Sequence, residues 1–202
     1  MKITVMVAMV AIVAGTAMCA QAEQKVTVYL QGVSTVPNPA LCQAQQAAAK
    51  MFAEIGVGID WRTSQPPTGP QLPSQQAITI RLATDTPPKL LPNALAFARP
   101  YEGVHLTVFW DRIQKTHPAS AGVVLAHVLV HEITHILQGI DRHSDSGVMK
   151  ACWTGEDYNN MTWKPLPFAS EDVQLIQHGL AKRNGEETHA VLKSAPSVEA
   201  AD

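Results

Sequence analysis

Five consecutive residues, His131-Glu132-Ile133-Thr134-His135, carry the most chemically suggestive pattern in this 202-residue chain. On an α-helix, side chains four apart stand on one face a turn away from each other, so the imidazoles of His131 and His135 converge. Two histidine nitrogens so placed can hold one zinc ion at roughly 2.0–2.1 Å each. Glu132 lies about 100° further round the helix. There it is near such an ion without ligating it, and a carboxylate in that place can take the proton of an attacking water. H-E-x-x-H therefore reads as two metal ligands and a general base, the equipment of metal-assisted hydrolysis.

The segment that must position these groups is 119–138, ASAGVVLAHVLVHEITHILQ, with no Asp, Glu, Lys or Arg before Glu132. A helix apolar nearly all round belongs in a core. Ser120, just after His117-Pro118, is the candidate N-cap. Burial suits a metal site, because it excludes bulk water and holds ligands rigid. A plain core helix would instead carry three ionisable groups in apolar surroundings with nothing to offset their desolvation. Gly139 can take the left-handed conformation that ends the helix and turns the chain back. A third ligand arriving after that turn can close on the same ion and leave the fourth zinc position open.

The residues after His135 run Ile136-Leu137-Gln138-Gly139-Ile140-Asp141-Arg142-His143-Ser144-Asp145-Ser146-Gly147-Val148-Met149. This passage resembles the metzincin clan of zinc peptidases, whose pattern is H-E-x-x-H-x-x-G-x-x-H followed by a methionine-containing turn. Within the clan it is most similar to the matrixins, in which Ser commonly follows the third His and a small-residue stretch leads to the Met. The resemblance implies Zn2+ held by His131, His135 and His143, Glu132 as the catalytic base, and Met149 as a hydrophobic floor that is not a ligand. The spacing departs from the family pattern, which puts Gly at 138 and the third ligand at 141, where this chain has Gln138 and Asp141. Asp141 is therefore the alternative third ligand. His143 is preferred because Ser144 and Met149 follow it at a family-like interval.

Other donors fit less well. His127 is eight residues from His135, about 12 Å of helical rise, so it reads as either a core residue or one that supports the ligands. A thermolysin-like site would recruit a carboxylate from a later helix, Glu156 or Glu171, but would leave Gly139, His143 and Met149 unexplained. A structural zinc site would be closed by a fourth ligand, with Asp141 or Cys152 as suppliers. That rival, a secreted non-catalytic zinc-binding or interaction protein with a degenerate site, has no use for Glu132.

The rest of the chain reads as one enzyme domain with a leader. Lys2, an apolar stretch over 3–14 and Ala20-Gln21-Ala22 make 1–22 a secretory signal peptide, and the product is expected to be secreted or periplasmic. Cys19 lacks the neighbours of a lipidation site. Removing the leader leaves about 180 residues, enough for one core, assigned as a metallopeptidase domain over 23–184 and a mobile tail over 185–202. The whole chain carries a net charge of −2 with no basic stripe, which argues against nucleic acid as a partner. No run outside the leader is expected to span a membrane. The expected state is a monomer acting on a peptide or protein substrate. Export allows Cys42 and Cys152 to pair, the other reading being two buried thiols.

Period-2 alternation predicts strands at 25–31, 58–63 and 77–83, and a strand pair at 94–99 and 105–113. Ala-rich spacing near 3.6 predicts a helix over 38–55. Pro-rich loops fall at 64–76 and 84–93. Ser170 reads as the cap of a last amphipathic helix running to about 183. The expected class is α+β, a twisted mixed sheet packed on the long metal-binding helix with a C-terminal helix, as in the resembled clan. In that clan an extended substrate adds to the edge of the sheet, and residues 106–110 are the candidate edge. The clan's occasional Tyr two residues past the Met is replaced here by Ala151. No cysteine-bearing latency segment separates the leader from the first strand.

Overall fold

A computed structural model of the protein describes residues 24–63, 77–87, 89, 94–98 and 105–194, with backbone only for 186–194. The leader, the 64–76 loop and residues 195–202 lie outside the described residues. β1 (Gln24–Gln31) leads through a single 3-10 turn into α1 (Asn38–Ala53), followed by β2 (Val57–Arg62) and β3 (Ala77–Ala83). The chain continues as β4 (Ala96–Ala98), β5 (His105–Phe109), α2 (Trp110–Thr116), α3 (Ala121–Gln138), α4 (Gly155–Met161) and α5 (Ser170–Ser194).

The five strands form one mixed sheet in the order β2-β1-β3-β5-β4. The β1-β2, β1-β3 and β3-β5 pairs are parallel, with Val26 opposite Ile59, Val28 opposite Ile78 and Ile80 opposite Leu106. β4 runs antiparallel to β5, placing Phe97 opposite Thr107. The parallel pair β1-β2 needs a long crossover, and α1 provides it. α1 turns Leu41, Ala44, Ala48, Met51 and Phe52 inward, the 3.6-residue spacing seen in its sequence. The fold class is the mixed α/β arrangement expected, a five-stranded sheet with helices around a long central one.

α3 is that central helix. It packs along α1 and α5 and touches β4 and β5. Of its 18 residues, only Val123 escapes the buried class. It is long and apolar enough to cross a bilayer by composition, yet 83% of it is buried inside the fold. Burial of its Val, Leu and Ile side chains, each worth roughly 1.5–3 kcal/mol, makes it the element least able to shift. Ser120 occupies the cap position, but its side chain makes no capping bond. Gly139 ends the helix at φ 68°, with its N–H donating to the His135 carbonyl at 2.9 Å.

Three expectations are corrected. The strand expected over 105–113 stops at Phe109, because Trp110 and Ile113 bury as a helical i, i+3 pair in α2. Residues 106–110 are not the edge of the sheet, since β5 is flanked on both sides by β3 and β4. The outer position beside α3 belongs to β4. Finally, α5 runs to Ser194, past the end expected near 183.

Candidate metal centre

The long buried helix brings the chemistry together. His131 and His135 project from one face of α3, with Nε2 atoms 3.0 Å apart. Each imidazole is fixed through its other nitrogen. His131 Nδ1 donates to the Val148 carbonyl at 2.9 Å, and His135 Nδ1 to the Ile140 carbonyl at 3.3 Å. A carbonyl can only accept, so both rings must carry the proton on Nδ1, which leaves the Nε2 lone pairs free. His143 comes from the loop beyond Gly139, its ring centroid 5.2 Å from that of His131 and 5.0 Å from that of His135. One ligand atom from each of the three lies within 4.8 Å of the others. Neither Asp141, Cys152, Glu156 nor Glu171 belongs to this group. Glu156 is exposed in the first turn of α4, and Glu171 pairs with Arg142.

Electrostatics favour neutral imidazoles. His131 is 8% exposed, and burial pushes its pKa down to about 4, helped by His135 and His143 and opposed by the bond to Val148. His135 is lowered in the same way, first by burial and then by His143. Glu132, 9% exposed on the same helix, is pushed the other way, up to about 8, by burial and then by the negative charge of Asp141. Three histidine nitrogens converging with no fourth protein donor among the described residues fit a divalent metal of borderline softness such as zinc, with a coordination position to spare.

The 147–149 turn is hydrogen-bonded to His131. Met149 is fully buried in the core. Its neighbour Val148 supplies the carbonyl that orients His131, and the same oxygen accepts from Trp153 Nε1 at 3.3 Å. The Met149 carbonyl accepts the Ser144 N–H at 2.8 Å. Gly147 opens the turn at φ 75°, and a Cβ there would stand 2.2 Å from the Pro167 carbonyl oxygen, so both the angle and the close approach call for glycine. His127 is buried with both ring nitrogens bonded. Its Nδ1 donates to the Val123 carbonyl at 2.8 Å, and its Nε2 accepts the Leu166 N–H at 3.1 Å.

A cavity of about 440 Å³ opens onto the site. His131, Glu132 and His143 share it with Leu95 and Ala96 at the start of β4, and with Trp153 and Tyr158 from the chain beyond Met149. The last two were not picked out from the sequence. Thr154 and Asp157 form a capping box that starts α4 and sets Tyr158 in place, and the T-x-x-D spacing at 154–157 was the available signal. Trp153 meets the His131 ring edge-on at 5.7 Å and the Tyr158 ring at 6.0 Å. Cys152 also lines the cavity, but it is an exposed free thiol, as is Cys42. The two form neither the disulfide nor the buried pair considered above, because each sits on the surface of its own segment.

No protein-family model matches the chain, and no curated protein matches its sequence. Similarity appears at the level of structure. Archaemetzincin from Methanopyrus kandleri superposes with a TM-score of 0.52 at 16% identity, over 81% of this chain and 99% of that one. A zinc-dependent peptidase from Methanocorpusculum labreanum gives 0.53 at 11% identity, over 75% of this chain and 99% of its own. At such identities the likeness is one of fold, and the chain has the fold found in these two peptidases.

Proposed function

We propose that the protein is a zinc-dependent endopeptidase of metzincin type. One observation carries this reading: Glu132, a buried carboxyl group outside the donor set, shares a cavity with His131 and His143 where three histidines converge with no fourth protein ligand among the described residues. A structural zinc site would be closed by four donors and would gain nothing from a buried carboxyl beside it. The zinc peptidase neighbours support the same reading. Ser144 after His143 and the Gly147-Val148-Met149 turn are its matrixin-like details.

Zinc bound by His131, His135 and His143 would supply Lewis acidity, polarising a scissile carbonyl and making water acidic near neutral pH. The remaining steps fall to the chain itself. Burial and then the negative charge of Asp141 push the Glu132 pKa up to about 8, and a bound dication nearby would favour the carboxylate that a base requires. It then takes the proton of the attacking water and delivers it to the departing amine. β4 holds the substrate. As the last strand in the sheet, with Leu95 and Ala96 on the cavity wall, it offers an edge to which an extended peptide adds as a further strand. Trp153 and Tyr158 face the bound side chains across the cavity.

The peptidase domain follows the 1–22 leader and acts as a monomer outside the cytoplasm once that leader is removed. The test is direct. Mature protein should contain about one zinc per chain and hydrolyse casein. Chelation should stop turnover, and added zinc should restore it. A zinc-loaded, folded protein that leaves casein and gelatin intact would remove the peptidase reading and leave a binding protein.

A further inference from the structure

His143 is the least secured of the three converging histidines. It is exposed, and it leaves a loop rather than a helix, so packing alone does not fix it. Yet both of its neighbours in the chain are anchored to one side chain. Asp172, in the first turn of α5, is 0% exposed. Its carboxylate accepts from Arg142 Nη1 at 2.9 Å, and the Ser144 hydroxyl lies 2.7 and 2.8 Å from its two oxygens. Gln138 Nε2, from the last residue of α3, makes long contacts of 3.4 and 3.5 Å to the Asp172 carbonyl and carboxylate. Arg142 is further held by Glu171, and the Ser144 backbone by Met149.

These partners bracket the stretch where the chain departs from the metzincin spacing. Gln138 stands where the family has glycine, and His143 comes two residues late. A longer loop has more conformations to lose when its histidine is fixed. We propose that Asp172 is a positioning residue for the third metal donor. By gripping Arg142 and Ser144 on either side of His143, its buried carboxylate fixes the lengthened loop so that the imidazole meets His131 and His135. The site at the N-terminal turn of α5 suits an anion, since the helix dipole adds to the Arg142 charge in stabilising it. A buried carboxylate stripped of these partners would be strongly disfavoured, so the loop and α5 hold each other in one arrangement.

The inference rests on the three-histidine metal site and is tested by metal binding, without peptidase activity as a readout. Zinc affinity is measured by chelator competition, and the ligand field by the visible spectrum of the Co2+-loaded protein. Asp172→Asn keeps the volume and removes the anionic acceptor. It should weaken zinc binding about 10- to 100-fold and shift the Co2+ bands towards those of His143→Ala. In His143→Ala, adding Asp172→Asn should cost little further affinity, because the donor it positions is gone. Ser144→Ala should move both readouts in the same direction by less. Should Asp172→Asn not fold, Ser144→Ala combined with Arg142→Gln carries the same comparison. Unchanged affinity and spectrum in a folded Asp172→Asn protein, or a loss that adds in full to that of His143→Ala, would overturn the proposal. Failure of the wild type to bind zinc would overturn the metal site itself.

Discussion

The Nδ1 atom of His131 lies 2.9 Å from the carbonyl oxygen of Val148, the residue immediately before Met149. The long helix and the turn that follows the third histidine are thus joined through a ligand and a main-chain oxygen. Any change that moves the turn moves the orientation of His131. Val148 and Met149 are both sunk into the core, so the packing of Met149 helps to fix the position of the carbonyl.

Met149→Leu nearly conserves volume and should cost less than about 1.5 kcal/mol, with zinc retained. Met149→Ala should cost roughly 2–5 kcal/mol and loosen zinc as well, because the Val148 carbonyl loses its support. Denaturant unfolding and zinc content, measured together on both variants, check this. An alanine variant that melts and binds zinc like wild type would break the link between turn and site.

The identity of the third ligand has a separate test. His143→Ala should lose zinc after mild chelation, whereas Asp141→Ala should keep most of it. Removing Asp141 should also relieve Glu132, whose pKa its charge helps to raise. Zinc content of the two proteins decides the matter, and the reverse order would make Asp141 the ligand.

Much of this site was legible in the sequence because it is local. His131, Glu132 and His135 sit within one and a half turns of a helix announced by its apolar run, and Gly139 marks where it ends. The fold followed from hydrophobic periodicity over β1, α1, β3 and α3. What was missed depends on tertiary pairing. The strand pair at 94–99 and 105–113 was legible, but not that β4, only three residues long, is the outer of the two. Trp110 fits a strand by propensity, and only its burial with Ile113 makes it the start of α2. Asp172 reads as a helix-start residue, and nothing local says that its carboxylate reaches Arg142 and Ser144, 30 and 28 residues earlier in the chain. Cys42 and Cys152 show the limit of counting cysteines without knowing where each one faces.

His127 should make the metal-free protein acid-sensitive. Burial holds its pKa below the ordinary value near 6.5, outweighing the bond to Val123. Its stability contribution is therefore complete above that value and is lost as pH falls towards the folded-state pKa. Protonated Nε2 can no longer accept the Leu166 N–H. His127→Gln should cost about 1–3 kcal/mol at pH 7.5. The gap to wild type should then narrow below pH 6.5 by up to about 1.4 kcal/mol per pH unit. Chemical unfolding of both proteins in chelator from pH 7.5 to 5 measures it. A gap constant across that range would show that His127 does not titrate as its burial implies.

In the proposed function, Glu132 is the base of a hydrolytic site and not a metal ligand. Zinc content, thermal stability and casein turnover of wild type and Glu132→Ala, measured side by side, test it most directly. Zinc content and fold should be unchanged, with kcat lowered about 100- to 10,000-fold. A Glu132→Ala protein that retains zinc and cleaves casein at the wild-type rate would contradict it.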